Sequence, residues 1–311
     1  MKSFLKIGKM IIRILLMLAG LLVLSTIVVA CIYLAINRTN GKIVSSGIVR
    51  KYLLYVPESY NPTTPTPLVI SMHGFAEWPA HQMRISHWND VADEYGFIVV
   101  YPSGTQFPLR WNAYNWPGAK MPASNEVQFI SDLIDHLSAE YNLDPARIYA
   151  NGLSNGGGMS VLLACQLSER ITAIGSVSGA YLLPWDQCVQ SRPVPIIAFH
   201  GTEDPIVPYV GGGTSRFGSA FPNIPIWIAR WAQRYGCDPG PVDLPSQGEV
   251  SGVKYSECNQ DTEVIFYTVH GGGHAWPGGG SLPKFIVGHT TQDIDATRVM
   301  WKFFSRYTLE K

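Results

Sequence analysis

Four glycines crowd one serine in the stretch YANGLSNGGGMSVLLAC, Tyr149 to Cys165: Gly152, Gly156, Gly157 and Gly158 surround Ser154. Each glycine costs a helix roughly 1 kcal/mol relative to alanine, so four of them at a helix start call for a geometric reason. RIYANG (147 to 152) reads as a strand and the residues after Ser154 as a helix. A strand that becomes a helix at one serine has to turn sharply. Such a turn strains the serine backbone and presses together the residues two before and two after it, where only hydrogen fits. Gly152 and Gly156 answer that crowding, and Gly157 and Gly158 let the helix pack closely on a sheet. G-x-S-x-G is a weak pattern alone, since Gly and Ser are common in turns; its position after a strand makes Ser154 a candidate nucleophile.

Strands and helices alternate through the rest of the chain. RKYLLYVP (50 to 57), PLVISM (67 to 72), ITAIGSVSG (171 to 179), VPIIAFHG (194 to 201) and TEVIFYTV (262 to 269) read as strands, and EYGFIVVYPSG (94 to 104) as a helix end followed by one more. The continuous apolar run of PLVISM is that of a strand buried on both faces, and the strand in EYGFIVVYPSG reads as another buried one. In NEVQFISDLIDHLSAEYNL, Val127, Ile130, Leu133, Ile134, Leu137 and Tyr141 fall at helical spacing, with Asn125 as the expected N-cap. The pattern over residues 41 to 311 predicts one α/β domain, a mostly parallel sheet with helices on both faces. A composition 46% hydrophobic and 15% charged suits a globular domain, and zero net charge with no Lys/Arg cluster after residue 42 argues against a nucleic-acid partner.

A nucleophilic serine needs a base, and the base an orienting acid. In α/β enzymes of this kind they follow in the order serine, acid, histidine, on loops at the carboxyl ends of strands. FHGTEDPIVPY (199 to 209) offers Glu203 and Asp204; YTVHGGGHAWPGGG (267 to 280) offers His270 and His274. Asp204 is expected to be the acid, since it sits at the loop apex before Pro205. His274 is expected to be the base, since three glycines carry it away from the strand end. The oxyanion hole is expected from the backbone N–H of Asn155, after the nucleophile, and of Phe75 in MHGFAE (72 to 77), with His73 structural. Trp78, Trp111, Trp116 and Trp276 fall in segments that should ring such a site and are expected to face substrate; Trp88, Trp227, Trp231 and Trp301, on helical patterns, are expected in the core.

The N-terminus is a separate matter. From Ile14 to Ile36 the chain runs 23 residues without a charge, about 34 Å as a helix, enough to cross a hydrocarbon core. Lys2, Lys6, Lys9 and Arg13 precede it, so the tail is expected to stay cytoplasmic and the domain after Asn37 to be exported on an uncleaved anchor. A cleaved signal peptide, or lipoprotein-type cleavage at VVAC (28 to 31) before Cys31, are the alternatives. Cys165, Cys188, Cys237 and Cys258 suit two disulfides in an oxidising compartment. Three connectivities are possible; Cys165 with Cys188 and Cys237 with Cys258 closes the shorter loops. No C-x-x-C or H-E-x-x-H spacing suggests a metal site, and no cofactor is expected.

MHGF, GLSNGG, HGTEDPIVPY and GGGHAWPGG, in that order, resemble the polyhydroxybutyrate depolymerase and feruloyl esterase group, the carbohydrate esterase family 1 type of α/β-hydrolase, over about residues 45 to 306. The resemblance implies a secreted or surface serine esterase with nucleophile Ser154, acid Asp204 and base His274. Its substrate would be a polyester oligomer or a feruloylated or acetylated polysaccharide. Cys237 and Cys258 also resemble the group's cysteine pattern, whereas RWNAYNWPGAKMPASNE (110 to 126) lacks the cysteines that often follow Trp-Asn in this loop. A serine peptidase of the same fold would share the triad. An inactive, membrane-tethered binding module is the rival from another class, yet it has no need of all three triad positions.

Overall fold

Strands dominated by apolar residues have to lie inside, and six largely buried ones form the middle of one sheet. The computed structural model describes residues 2–36, 38–115, 119, 121–215, 218–280 and 283–310. Ten strands pair in the order β1-β2-β4-β3-β5-β6-β7-β10-β9-β8. They are β1 (Gly41–Ser45), β2 (Ile48–Tyr55), β3 (Thr66–Met72), β4 (Ile98–Pro102), β5 (Leu143–Leu153), β6 (Ala173–Val177), β7 (Ile196–Gly201), β8 (Val242–Gln247), β9 (Val250–Tyr255) and β10 (Val264–Val269). From β4 to β10 every neighbouring pair is parallel. At the two ends β1 and β2, then β9 and β8, continue the sheet antiparallel. The antiparallel ends, the first strand and the β8–β9 hairpin were not legible in the sequence.

Side chains alternate across each strand, so one strand feeds two cores. Leu68, Ile70 and Met72 of β3 join the cluster built on α4 (Ala123–Glu140), α5 (Asn155–Gln166) and α6 (Ile224–Arg234). Val69 points the other way, to the cluster built on α2 (Pro79–Ser86), α3 (Trp88–Tyr95) and α8 (Ala296–Phe304). Tyr149 of β5 stacks on Phe304, which stacks on Trp88, and Phe97 stacks on Trp301. Trp88, Trp227, Trp231 and Trp301 are buried, as their helical spacing suggested. One short helix, α7 (Lys284–Val287), lies between β10 and α8.

Helix α4 starts at Ala123, earlier than the expected cap. Asn125 lies inside the first turn, and Asn115 Oδ1 accepts the Ala123 N–H at 2.9 Å. A loop residue eight positions back thus satisfies a donor that a local N-cap would otherwise serve. Cys165 is bonded to Cys188 and Cys237 to Cys258.

Contacts divide the chain into Met1–Arg38 and Thr39–Lys311. The first unit holds α1 (Lys2–Ile36), whose stretch Met10–Val29 is long and apolar enough to cross a membrane. The uncharged run read from Ile14 to Ile36 therefore lies within a helix that begins at Lys2.

Candidate active site

The elbow is built as its glycines require. Ser154 has φ +56° and ψ −116°, a strained conformation for any residue but glycine, between the end of β5 and the first turn of α5. Its N–H bonds the Val177 carbonyl at 2.8 Å, and its carbonyl accepts the N–H groups of Gly158 and Ala180, each at 3.0 Å. A Cβ on Gly152 would sit 2.5 Å from the Gly156 carbonyl carbon and 2.7 Å from the Met72 oxygen, which leaves room for hydrogen alone.

Because β5, β7 and β10 run parallel in one sheet, the loops after them emerge at one edge. Thr202 N–H bonds the Val269 carbonyl at 2.9 Å and Glu203 N–H that of Gly272 at 2.9 Å, which laces the acid loop to the histidine loop. There His274 Nδ1 lies 2.8 Å from Asp204 Oδ2, with both side chains buried. An ionised carboxylate only accepts, so Nδ1 carries a proton, and in the neutral ring Nε2 is the nitrogen that has the lone pair. Asp204 Oδ1 accepts the N–H groups of Ile206 and Val207, each at 2.8 Å. Burial works to raise this carboxyl's pKa, but His274, then His200 and the Val207 N–H, outweigh it and hold it below its ordinary value. The neighbours differ: Glu203 is exposed, and His270 is exposed and bonded through Nε2 to Ser251 Oγ at 2.8 Å.

His200, on β7, was missed in the sequence. Its Nε2–H donates to the Val207 carbonyl at 2.9 Å and lies 3.3 Å from Asp204 Oδ2, so it braces the acid loop from beneath. Burial keeps this ring neutral by pushing its pKa down. Only its place in HGTED, four residues before the acid, offered a signal.

His73 is structural, as expected. Nδ1–H donates to its neighbour's carbonyl, Gly74 O, at 2.7 Å, and Nε2 accepts the Gly104 N–H at 2.9 Å, so neither nitrogen is left for proton transfer. Burial drives its pKa down to about 4. The loop after β3 packs on the elbow: a Cβ on Gly74 would lie 3.5 Å from Ser154 Cβ, and Phe75 is the next residue in the chain. Asn155, expected to act through its backbone, has a second use. Its side-chain oxygen accepts the Trp111 N–H at 2.7 Å and its amide donates to the Trp111 carbonyl at 3.0 Å, clamping the loop after β4 onto the elbow.

Two tryptophans expected to face substrate do not. Trp111 is 2% exposed and its indole donates to the His73 carbonyl at 3.0 Å. Trp276 is also 2% exposed, its indole bonded to Thr297 Oγ1 at 2.9 Å. An indole buried on both faces with its N–H used inside the protein has no surface left for a ligand. Trp78 is half-buried beside His81 and keeps an open side. Trp116 lies outside the described residues.

Comparison with known proteins places this arrangement in context. Residues 50–192 match the family described as Esterase PHB depolymerase. The bifunctional acetylxylan esterase/xylanase XynS20E of Neocallimastix patriciarum is 32% identical over 163 residues, 52% of this chain, and the chain spans 22% of that protein's length. Feruloyl esterase D of Neurospora crassa is 28% identical over 285 residues, 86% of this chain and 87% of the relative. Among solved structures, an acetyl xylan esterase from Aspergillus awamori superposes with a TM-score of 0.57 at 14% identity, covering 76% of this chain and 93% of that one; the likeness is one of fold.

Proposed function

We propose that the chain, whose residues 50–192 match the Esterase PHB depolymerase family and which is similar to feruloyl and acetylxylan esterases, is a serine hydrolase that cleaves carboxylic esters through an acyl-enzyme on Ser154. The observation that carries this reading is the buried Asp204–His274 couple on the sheet edge where the strained Ser154 stands. His274 Nε2 takes the Ser154 proton as Oγ attacks the acyl carbon, and the carbonyl electron pair moves onto oxygen, which the N–H groups of Phe75 and Asn155 receive. Collapse expels the alcohol, which takes the proton from His274. A water then repeats the sequence on the acyl-enzyme and frees the acid. Asp204 stays ionised throughout and holds the ring in the needed tautomer.

The substrate we favour is an aliphatic polyester oligomer. The loops after β4 and β7 present Phe107, Ile206 and Val210 to solvent, and α7, after β10, presents Phe285 and Ile286, with Phe107 87% and Phe285 90% exposed. Apolar groups on the loops that carry the site suit an apolar chain better than a sugar polymer. The second reading, a feruloylated or acetylated polysaccharide, is favoured by the names of the relatives and by the open side of Trp78. The proposal includes location: α1 stays as an anchor and the disulfide-bonded domain faces the extracytoplasmic side, or is released by cleavage near Cys31.

Fluorophosphonate labelling tests the chemistry. The full chain should be labelled and Ser154→Ala should not, while remaining folded. A panel of hydroxybutyrate oligomers, methyl ferulate, acetylated xylan and p-nitrophenyl acetate then separates the two substrate readings. Near-native turnover by Ser154→Ala would sink the nucleophile assignment.

A further inference from the structure

The loop that should supply the oxyanion donor contains a carboxylate for which the ester chemistry has no use. We infer that Glu77 is a positioning residue: by binding the Gly74 N–H it sets the Phe75 peptide toward the acyl oxygen held at Ser154. This inference rests on the serine-esterase reading above.

Gly74 to Glu77 form a closed turn. The Glu77 N–H bonds the Gly74 carbonyl at 3.3 Å, and Glu77 Oε2 reaches back to accept the Gly74 N–H at 2.9 Å. Glu77 thus bonds both polar groups of Gly74, whose carbonyl it shares with the His73 Nδ1–H at 2.7 Å. Ala76, third in the turn, has φ +62°, the positive value that a type II turn needs at that position, and its N–H is tied to the Leu109 carbonyl at 2.8 Å. Phe75, second in the turn, therefore has both neighbouring peptides fixed.

The turn also touches the nucleophile. The Cβ position of Gly74 lies 3.5 Å from Ser154 Cβ on one side and 2.9 Å from Glu77 Oε2 on the other. Any tilt of the Gly74–Phe75 peptide would move the donor relative to the serine. A negative charge this close to a developing oxyanion is unfavourable by itself. Its presence makes sense if the hydrogen bond matters more than the charge. His81 Nδ1 lies 3.5 Å from Glu77 Oε1, with its side chain 6% exposed. Burial works to raise the carboxyl's pKa, yet His81, the Gly74 N–H and His73 together hold it below its ordinary value, so it is ionised and a strong acceptor.

Glu77→Gln keeps an oxygen that can accept the Gly74 N–H and removes the charge. Glu77→Ala removes both. With the full chain and p-nitrophenyl acetate, Glu77→Ala should lose about 10- to 100-fold in kcat, less than deletion of an oxyanion donor itself, with KM within about 3-fold. Its affinity for an aliphatic trifluoromethyl ketone, whose tetrahedral adduct places an oxyanion in the hole, should fall by the same factor. Glu77→Gln should remain within about 3-fold of the parent in both measures. A merely structural role would lower thermal stability without this parallel between kcat and inhibitor affinity. If Glu77→Ala does not fold, Glu77→Met keeps the volume without an acceptor and is read in the same way. The inference is overturned if the variant lacking an acceptor matches the parent, or if Glu77→Gln is as impaired as Glu77→Ala. An unlabelled parent in the fluorophosphonate assay would instead overturn the serine-esterase reading, so the two failures are told apart.

Discussion

Both oxygens of Asp204 are engaged, one by two backbone N–H groups and the other by His274 with His200 behind it. Asp204→Asn turns an acceptor-only group into one that also donates, which disrupts the His274 tautomer. We expect kcat/KM to fall by about four orders of magnitude for Asp204→Asn and at least as much for His274→Ala. Glu203→Gln and His270→Ala, at exposed positions, should stay within about 3-fold of the parent in the same ester assay. Reversal of severe and mild outcomes would move the acid or base to its neighbour. His73 supplies a different test. The unfolded chain protonates this ring near its ordinary value of 6.5, the folded chain only near about 4. Between those values the unfolded state binds the extra proton, so stability is full above the upper one and falls as pH drops towards the lower. The loss should reach about 3 kcal/mol by pH 4. Urea midpoints at pH 7 and pH 4.5 measure most of it, and Asp204 and Glu77, held below their ordinary values, add a loss of the same sign only at lower pH. A flat profile would mean that the ring is not held neutral.

At the scale of elements, one buried ion pair ties three of them. Arg50 on β2 and Glu126 on α4 meet at 2.7 Å with side chains 1% and 0% exposed, and Glu126 also accepts the Asn112 N–H of the loop after β4 at 3.3 Å. The Arg50 guanidinium lies over the Phe129 ring, 3.8 Å from its centre. Attraction in a dry site roughly offsets the desolvation of both charges, but removal of one leaves the other uncompensated. Arg50→Met should therefore cost about 3–5 kcal/mol in chemical unfolding, whereas the double change Arg50→Met with Glu126→Leu should recover most of that. A single variant with near-parent stability would show that water reaches Glu126. Asn112 and Trp111 share this loop with the Asn155 clamp, so the pair also steadies one wall of the site.

For the whole molecule, the testable statement joins anchor and enzyme. If α1 is an uncleaved span, active protein should pellet with membranes, resist carbonate extraction and be cut from intact spheroplasts by external protease after Asn37. An apolar stretch this long is stable in hydrocarbon rather than water, and Lys2, Lys6, Lys9 and Arg13 disfavour the opposite orientation. Thiol labelling of the domain should rise only after denaturation and reduction, with a loss of about 2–5 kcal/mol for each bridge removed. A soluble form beginning at Cys31 would remove the anchor and leave an exported enzyme; a cytoplasmic form with free thiols would overturn the topology.

Local chemistry alone determined a good deal here. The apolar runs announced the buried strands because a strand covered on both faces is filled mostly by apolar side chains. The glycines around Ser154 announced the elbow because part of the crowding they relieve arises between residues four apart, Gly152 and Gly156, although the backbone of Met72 and Ala180 supplies the rest. Asp204 and His274 were readable because each follows a strand end, in a sheet whose parallel strands bring such ends to one edge. Tertiary structure decided what depends on contacts between distant segments. Trp111 and Trp276 sit in site-ringing segments, yet a carbonyl 38 residues back and a hydroxyl 21 residues ahead turn them inward. The Asn125 cap gave way to Asn115 for the same reason. Glu77 and His200 gain their meaning only from the groups they hold, the Gly74 N–H beside Ser154 and the acid that meets its histidine 70 residues along the chain. Periodicity and backbone strain are properties of a short segment and are written in it, whereas the direction a side chain faces is settled by whichever partner the folded chain brings within about 3 Å.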